Sequence, residues 1–287
     1  MTVGHLSGFY HALYMTRDSN GYPTGTQTNP DSMANGTTTH AHKLTGPVEA
    51  SEITFQREIA TFRGGQKVLG RRQLGVSDIG QFEITLSAFD EAFHALVTGS
   101  AVDTSIASAN SVTTPNVMKG DPPQGMLLLT LGFQTAAGAN KYITYAYHNV
   151  QISEAAAGAA NQNGGENPLP TRYTVTVNSA ERTFFGLPYS ATALDAEDDT
   201  DFFVRYITAK PISVTTYKAL GAATSFTLGY RPVSTEHAGA RNVFTKNGAQ
   251  GHTDVTNLVD TTGVTTINAA SAGDMWVAVI ETDFVPI

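Results

Sequence analysis

The chain has 287 residues, with 25 acidic against 17 basic side chains and a formal net charge of −8. This balance is a poor match to a protein that grips nucleic acid, because such proteins carry clustered Lys and Arg that displace counterions. The absence of cysteine excludes a disulfide framework, a thiolate nucleophile and any metal site with Cys ligands.

The composition favours a β protein, because Thr, Ser and Asn are abundant and 27 glycines and 12 prolines supply turns. No run approaches the roughly 18 apolar residues that a membrane helix needs. The N-terminal stretch lacks a basic leader followed by an apolar segment, which is the pattern of a secretory signal. We therefore expect a soluble protein that acts in the compartment where it is made.

Residues 1–47 are rich in turn dipeptides such as Asn20-Gly21 and have few periodic apolar runs. We predict an extended arm or long loop over 1–47, with the core beginning at Val48. From residue 53 apolar and polar residues alternate as in a strand. The segment QKVLGRRQLGVSDIGQ (66–81) is polar and punctuated by glycines, so it predicts a projecting hairpin or loop.

The strand QFEITL (81–86) leads into the one segment with helical periodicity. We predict a helix over 88–98, with Ser87 as the N-cap, Asp90 in the first turn and Gly99 as the stop. Four apolar residues spaced at i, i+4, i+7 and i+8 form a stripe that we expect to pack on a sheet. They are Phe89, Phe93, Leu96 and Val97.

A β-hairpin is predicted where MLLLTLGF and KYITYAYHNVQI flank the turn-like TAAGAN (135–140), with aromatic cross-strand candidates in the second strand. The segment 155–170 is low in complexity and predicts a long loop. Further strands are predicted at RYTVTVN, DFFVRYIT, PISVTTY, SFTLGY, VTNLVD and MWVAVIETDFV. The pattern predicts an all-β fold with one short helix.

Motifs for nucleotide binding and hydrolysis are incomplete. Gly65 and Gly70 have the spacing of a phosphate-binding loop, but Arg71-Arg72 follow where Lys-Ser/Thr is required. The sequence GVSDIG has one residue too many for a nucleophile elbow, and a strand follows it instead of a helix. We predict no catalytic residue and no cofactor.

Two groups of residues have the chemistry of metal ligands. His40 and His42 are spaced to lie on one face of a strand, but a zinc site needs three or four ligands and no third is suggested nearby. The acidic run DAEDDTD (195–201) lacks the glycine and distal Glu of an EF-hand, so a solvated turn is favoured over a Ca²⁺ loop. We predict no metal site.

Residues 48–104 resemble the tail tube (major tail) proteins of long-tailed bacteriophages. The resemblance lies in the order of parts within this stretch: a strand, a Gly-rich polar projection, a second strand and a capped helix with an aromatic stripe. It implies two antiparallel sheets packed as a sandwich or partial barrel, with the helix covering the open side of one sheet. Known members are often shorter, so 155–170 and 222–287 are read as insertions, decorations or closing strands.

The resemblance also implies a function. Members of this family form hexameric rings that stack into the tube through which DNA leaves the capsid, so the expected partners are copies of the chain, a tape-measure protein and transiting DNA. The polar projection would then contact a neighbouring subunit or ring through its basic side chains, which are Arg63, Lys67, Arg71 and Arg72. An acidic chain suits a conduit that must not bind its cargo. The expected location is the virion, after assembly in the host cytoplasm.

These expectations divide the chain into an N-terminal arm (1–47), a tail-tube-like core (48–221) and closing strands or a decoration (222–287). The main alternative is a carbohydrate- or receptor-binding β-sandwich. In that protein Tyr142, Tyr145, Tyr147 and Trp276 would offer stacking faces. A third option is a β-sandwich hydrolase with dispersed carboxylates.

Overall fold

The computed structural model describes residues 4–27, 29–44, 48–50, 54–64, 67–99, 101–106, 109–113, 123–154, 171–178, 180–181, 200–201, 204–222, 224–236, 241–268 and 270–287. These residues are mostly β-strand, with one short α-helix and several antiparallel sheets, one of them curled into a half-barrel. The predicted fold class is therefore confirmed. None of the described helices is long and apolar enough to cross a membrane.

The strands of the first half of the chain are β1 (Gly4–Arg17), β2 (Pro23–Gly25), β3 (Thr38–His40), β4 (His42–Lys43), β5 (Val48–Ala50), β6 (Thr54–Gly64), β7 (Lys67–Leu86), β8 (Ala101–Ile106), β9 (Ala109–Thr113), β10 (Gln124–Thr135) and β11 (Asn140–Glu154). Those of the second half are β12 (Thr171–Asn178), β13 (Ala180–Glu181), β14 (Thr200–Asp201), β15 (Val204–Thr208), β16 (Ile212–Lys218), β17 (Thr224–Thr227), β18 (Tyr230–Pro232), β19 (Asn242–Lys246), β20 (Ala249–Gln250), β21 (Val255–Leu258), β22 (Val264–Ile267) and β23 (Met275–Pro286). The helix α1 spans Glu91–Thr98, and short 3-10 helices lie at Pro30–Ser32 and His252–Asp254.

Three larger sheets build the body of the described structure, and two further sheets are the two-stranded pairs β8-β9 and β13-β14. The main sheet has the order β2-β1-β10-β11-β12-β7-β5, with β4 also paired to β1, β15 to β11 and β6 to β7. The second sheet has the order β20-β19-β23-β16-β3, with β18 on β23, and the third has the order β17-β22-β21. The predicted hairpin of β10 and β11 is confirmed, with Leu129 opposite Tyr145 and Leu127 opposite Tyr147.

The layers are joined by three apolar cores. The first lies between α1 and one face of the main sheet, which we call the helix face. The second lies between the opposite face, the back face, and the second sheet. The third lies between the second and third sheets and contains Trp276. The molecule is therefore a stack of four layers in the order helix, main sheet, second sheet, third sheet.

Strands in the middle of this stack are apolar along their whole length because both of their faces are covered. In β10, Leu127 faces the core under the helix while Leu128 faces the core beneath the second sheet. In β23, Val277 faces the main sheet while Trp276 faces the third sheet. A continuous apolar run such as MLLL is what two-sided burial requires.

The prediction of an N-terminal arm is wrong for the described part of 1–47. β1 is an internal strand of the main sheet, and its Leu13 and Tyr14 are fully buried on opposite faces. The turn at Asn20-Gly21 exists, but it connects β1 to β2 and does not belong to a loop.

The predicted boundaries at 47/48 and 221/222 also do not separate structural units. β16 pairs on one edge with β3, from the supposed arm, and on the other with β23, from the supposed decoration. The strands after residue 222 close the second core, where Val243, Val277 and Val279 pack against the main sheet.

One edge of β11 is shared by two strands that lie end to end. β12 pairs with residues 150–154 of β11, and β15 pairs with residues 142–146 of the same edge. Between these stretches β11 contains a bulge, because Gly125 and Leu127 of β10 pair with Val150 and Tyr147. The extra residue inverts the alternation, so that Tyr147 and Val150 both face the helix.

The helix is shorter than predicted and begins at a different cap. Asp90, not Ser87, is the N-cap, and its carboxylate accepts a hydrogen bond from the Phe93 backbone N–H at 3.0 Å. The same carboxylate binds His42 Nε2 at 2.9 Å, so the helix start is tied to β4. The stop at Gly99 is confirmed, since this residue adopts φ 66°.

Three residues of the predicted apolar stripe are buried against the main sheet. Phe93, Leu96 and Val97 lie in the core under the helix, and the Phe93 ring contacts those of Tyr14 and Tyr173. The prediction is wrong for Phe89, which precedes the N-cap and is 56% exposed. Its ring lies 5.4 Å from that of His94, the arrangement of a hydrophobic staple across the helix start.

Candidate assembly surfaces

The long strand β7 is held in the main sheet only by residues 79–86. From residue 79 to 86 it pairs with β12, and its other edge there pairs with β5 and the start of β6. From residue 67 to 78, β6 is its one strand partner among the described residues. Residues 54–64 and 67–78 therefore form a two-stranded hairpin, which we call the arm.

The four basic residues predicted to make contacts between subunits all lie in the arm. Arg63 belongs to β6, and Lys67, Arg71 and Arg72 belong to β7. Along the ladder Arg71 is opposite Thr61, and Arg72 is opposite Ala60. The prediction of a hairpin or loop within 66–81 is wrong, because from Lys67 this segment is part of the single strand β7, which continues to Leu86 and supplies only the second strand of the arm. The predicted contacts of these side chains lie outside what the structure describes.

The dimensions of the arm make it unusual as a free-standing element. Its 11-residue strand β6 has a length of about 36 Å at roughly 3.3 Å per residue. A two-stranded hairpin is marginally stable in water unless something packs on it. The arm is also basic, with five Lys and Arg against two acidic residues in 54–78. Because the chain carries a net charge of −8, everything outside the arm has a net charge of −11.

The back face of the main sheet is divided into two halves. One half, on β1, β10, β15 and the first part of β11, is buried beneath the second sheet. The other half, on residues 81–85 of β7, on β12 and on the end of β11, has only polar side chains, and none of them is buried. We call this second half the open polar face. It consists of Gln81, Glu83, Thr85, Gln151, Ser153, Arg172, Thr174, Thr176 and Asn178.

The register aligns the open polar face in rows across three strands. Gln151, Thr176 and Gln81 form one row, and Gln81 Nε2 donates a hydrogen bond to Thr176 Oγ1 at 3.4 Å. Ser153, Thr174 and Glu83 form the next. Alternate residues of the same strands, such as Val175 and Phe82, point into the core under the helix.

The aromatic residues of the alternative hypothesis do not share a surface. Trp276 is fully buried between the second and third sheets, and Tyr147 is 7% exposed in the core under the helix. Burial raises the pKa of Tyr147 to about 12. Tyr145 is half-buried beneath Arg205, and Tyr142 packs edge-on against Tyr10 on the opposite face. No stacking platform is formed by these four rings.

The two histidines considered as metal ligands have separate structural contacts. His40 Nδ1 lies 3.1 Å from Thr215 Oγ1, and burial lowers the pKa of its imidazole. His42 binds the helix-capping Asp90. Within the described ranges, no three His, Asp or Glu side chains converge to hold a metal ion. Of the acidic run, 195–199 lies outside the described residues, and Thr200–Asp201 forms β14.

No protein-family model matches the sequence, and no curated protein shows significant similarity to it. Sequence reasoning singled out 66–81 from its glycine punctuation, but this segment is only the second strand of the arm. It did not identify the open polar face, whose strands are far apart in the chain. The only signal for that face was the polar half of each alternating pattern.

Proposed function

We propose that this chain is a non-enzymatic structural subunit that assembles into stacked hexameric rings, forming the tail tube of a long-tailed bacteriophage. Its partners are copies of itself, with a tape-measure protein and transiting DNA in the channel. It is located in the virion and assembles in the host cytoplasm.

The observation that carries the proposal is the arm. A basic ribbon about 30 Å long extends beyond Phe55 of β6 and Ile79 of β7, and among the described residues its two strands pair only with each other. Such an element gains stability by packing on a partner, and the acidic remainder of the same chain is electrostatically complementary to it. A basic arm on one copy and an acidic body on another favour a head-to-tail contact, and such contacts generate rings or filaments.

The layered body supports the same reading. Three apolar cores join its helix and three larger sheets into one layered body. The resemblance over residues 48–104 assigns such bodies to rings, and the arm to contacts with a neighbouring subunit or ring.

The test is a charge reversal of the arm with a matched control. We expect R71E/R72E to abolish stacking into tubes while the thermal unfolding temperature stays unchanged. The control R231E/R241E makes the same change in net charge at two exposed residues beside the second sheet, and we expect it to assemble normally. Negative-stain electron microscopy and light scattering report the assembly.

Each outcome has a distinct meaning. Tubes of normal length formed by R71E/R72E would contradict the arm contact. A wild-type chain that stays monomeric at every concentration would contradict the proposed function as a whole.

A further inference from the structure

We infer that Tyr10 and Tyr142 form a site of oxidative cross-linking, at which a one-electron oxidant joins the two rings into dityrosine within a single chain. The inference goes beyond the proposed function and does not depend on it, because both side chains belong to one subunit. The product would be a covalent link between β1 and β11, which are separated in the main sheet by β10.

The two rings meet because the strand between them has no side chain at the point of contact. Gly132 of β10 pairs with Tyr142 of β11, so the space above β10 is empty at this position. In β1 the register shifts between Phe9 and His11, which makes Tyr10 the extra residue of a β-bulge. The Tyr10 ring therefore reaches across Gly132 and contacts the Tyr142 ring on the back face.

The contact has a geometry that suits coupling of the rings. Their centres are 5.0 Å apart, and the ring planes make an angle of 66°. In dityrosine the ring centres are separated by one carbon–carbon bond and two ring radii, which is slightly less than this distance, and the joined rings are twisted. The hydroxyl groups are also close, since Tyr142 raises the pKa of Tyr10, after the larger effect of burial. A small movement of the Tyr10 ring brings the coupling carbons together.

The reaction balances with two equivalents of a one-electron oxidant. Each phenol gives one electron to the oxidant and its hydroxyl proton to water. The two phenoxyl radicals then join through a bond between ring carbons next to the hydroxyls, and the hydrogens on those carbons move to the oxygens. The product keeps both hydroxyl groups and is lighter than the parent chain by two hydrogen atoms.

Exposure favours this pair over most other tyrosines of the chain. Tyr10 is 50% exposed, and Tyr142 is half-buried beside it. Of the 11 tyrosines, five are at most 7% exposed: Tyr14, Tyr147, Tyr173, Tyr206 and Tyr217. An oxidant in solution therefore reaches Tyr10 readily, and the radical formed there already has a second tyrosine ring in contact.

The test is photo-oxidation of the purified chain with ruthenium tris-bipyridyl, persulfate and visible light. We expect the blue fluorescence of dityrosine in the monomer band of a denaturing gel and an intact mass lower by two hydrogen atoms. Tandem mass spectrometry should find a cross-linked pair of peptides that contain Tyr10 and Tyr142. Y142F should lose all three signals, because phenylalanine forms no phenoxyl radical. The matched control Y145F, on the same strand, should keep them.

The link also has a readout in stability. A covalent bond between residues 10 and 142 restricts the unfolded chain, as a disulfide that closes a long loop does. After identical oxidation, the wild type and Y145F should therefore unfold at a higher temperature than Y142F. Before oxidation the three proteins should unfold at the same temperature, which verifies that the variants are folded.

Three results would overturn the inference. Dityrosine at the wild-type level in Y142F would assign the coupling to other tyrosines. Fluorescence confined to the dimer band would assign it to contacts between copies. A wild-type chain that forms no dityrosine, under conditions that couple free N-acetyltyrosine, would show that the two rings do not reach the coupling geometry.

Discussion

The two halves of the back face of the main sheet are built on adjacent strands but have opposite chemistry. Under the second sheet the outward side chains are apolar, as with Leu13, Met126 and Leu128. On β12 and the end of β7 the corresponding positions are Thr174, Thr176 and Gln81. The helix face is apolar beneath both halves. The comparison shows that packing under the helix requires apolar side chains on one side of these strands. The polarity of the other side depends on whether another layer covers it.

The largest expected effect comes from removing apolar volume in the covered half. Leu128 is fully buried, so L128A should lower the free energy of unfolding by about 2–5 kcal/mol through lost burial and cavity formation. T176A, at a position in the open half, should change it by less than about 0.5 kcal/mol. Urea denaturation of both variants measures the contrast. Equal losses would mean that an additional layer covers the open polar face within the monomer.

A second effect is a loss of stability at acid pH, which arises from His11 on the covered half of the back face. His11 is 4% exposed, and the centre of its ring lies 4.5 Å from the centre of the Phe284 ring. Lys43 Nζ lies over the Phe284 ring, 4.4 Å from its centre. Burial, and secondarily the charge of Lys43, lower the pKa of His11 from 6.5 to about 3. Between these values the unfolded chain binds more protons than the folded one, so the stabilisation present above pH 6.5 is lost as the pH falls.

Replacing His11 with Phe should remove this pH dependence while keeping a ring against Phe284. From about pH 7 to pH 4 the wild type should lose about 3 kcal/mol more than H11F in free energy of unfolding, at 1.36 kcal/mol per pKa unit. Carboxylates titrate in both proteins, so the difference between the two curves isolates His11. Parallel curves would show that the imidazole is protonated as readily in the fold as in the unfolded chain.

The smallest effect is at the helix start on the opposite face. D90A removes the N-cap and the partner of His42, and should cost about 1–2 kcal/mol. S87A should change the free energy of unfolding little, because Ser87 is outside the helix start. Thermal unfolding of the two variants provides the measurement. If S87A destabilised the protein more than D90A, Ser87 and not Asp90 would be the N-cap.

Local patterns were enough to predict the fold class and the hairpin of β10 and β11. Local patterns misassign β1, because the turn dipeptides that follow this strand are a stronger signal than the mostly apolar run FYHALYM (9–15). Burial on both faces removes the period-two alternation that identifies a strand, and two-sided burial depends on layers formed by residues more than a hundred positions away.

The helix start shows a similar limit. Ser87 and Asp90 are both acceptable N-caps, and the contact of Asp90 with His42 on β4 is a tertiary interaction that favours the latter. The open polar face could not be predicted from the sequence for the same reason, because it depends on tertiary structure. Each of its strands reads as half polar in the sequence, but only the order β11-β12-β7 joins them into one surface.

The end-to-end placement of β12 and β15 has a practical consequence. β12 ends at Asn178 and β15 begins at Val204 on the same edge of β11, so the two strands follow one line along β11 although they are separate in sequence. The two strands can therefore separate from β11 independently, and amide hydrogen exchange at 150–154 and at 142–146 of β11 would report each opening by itself.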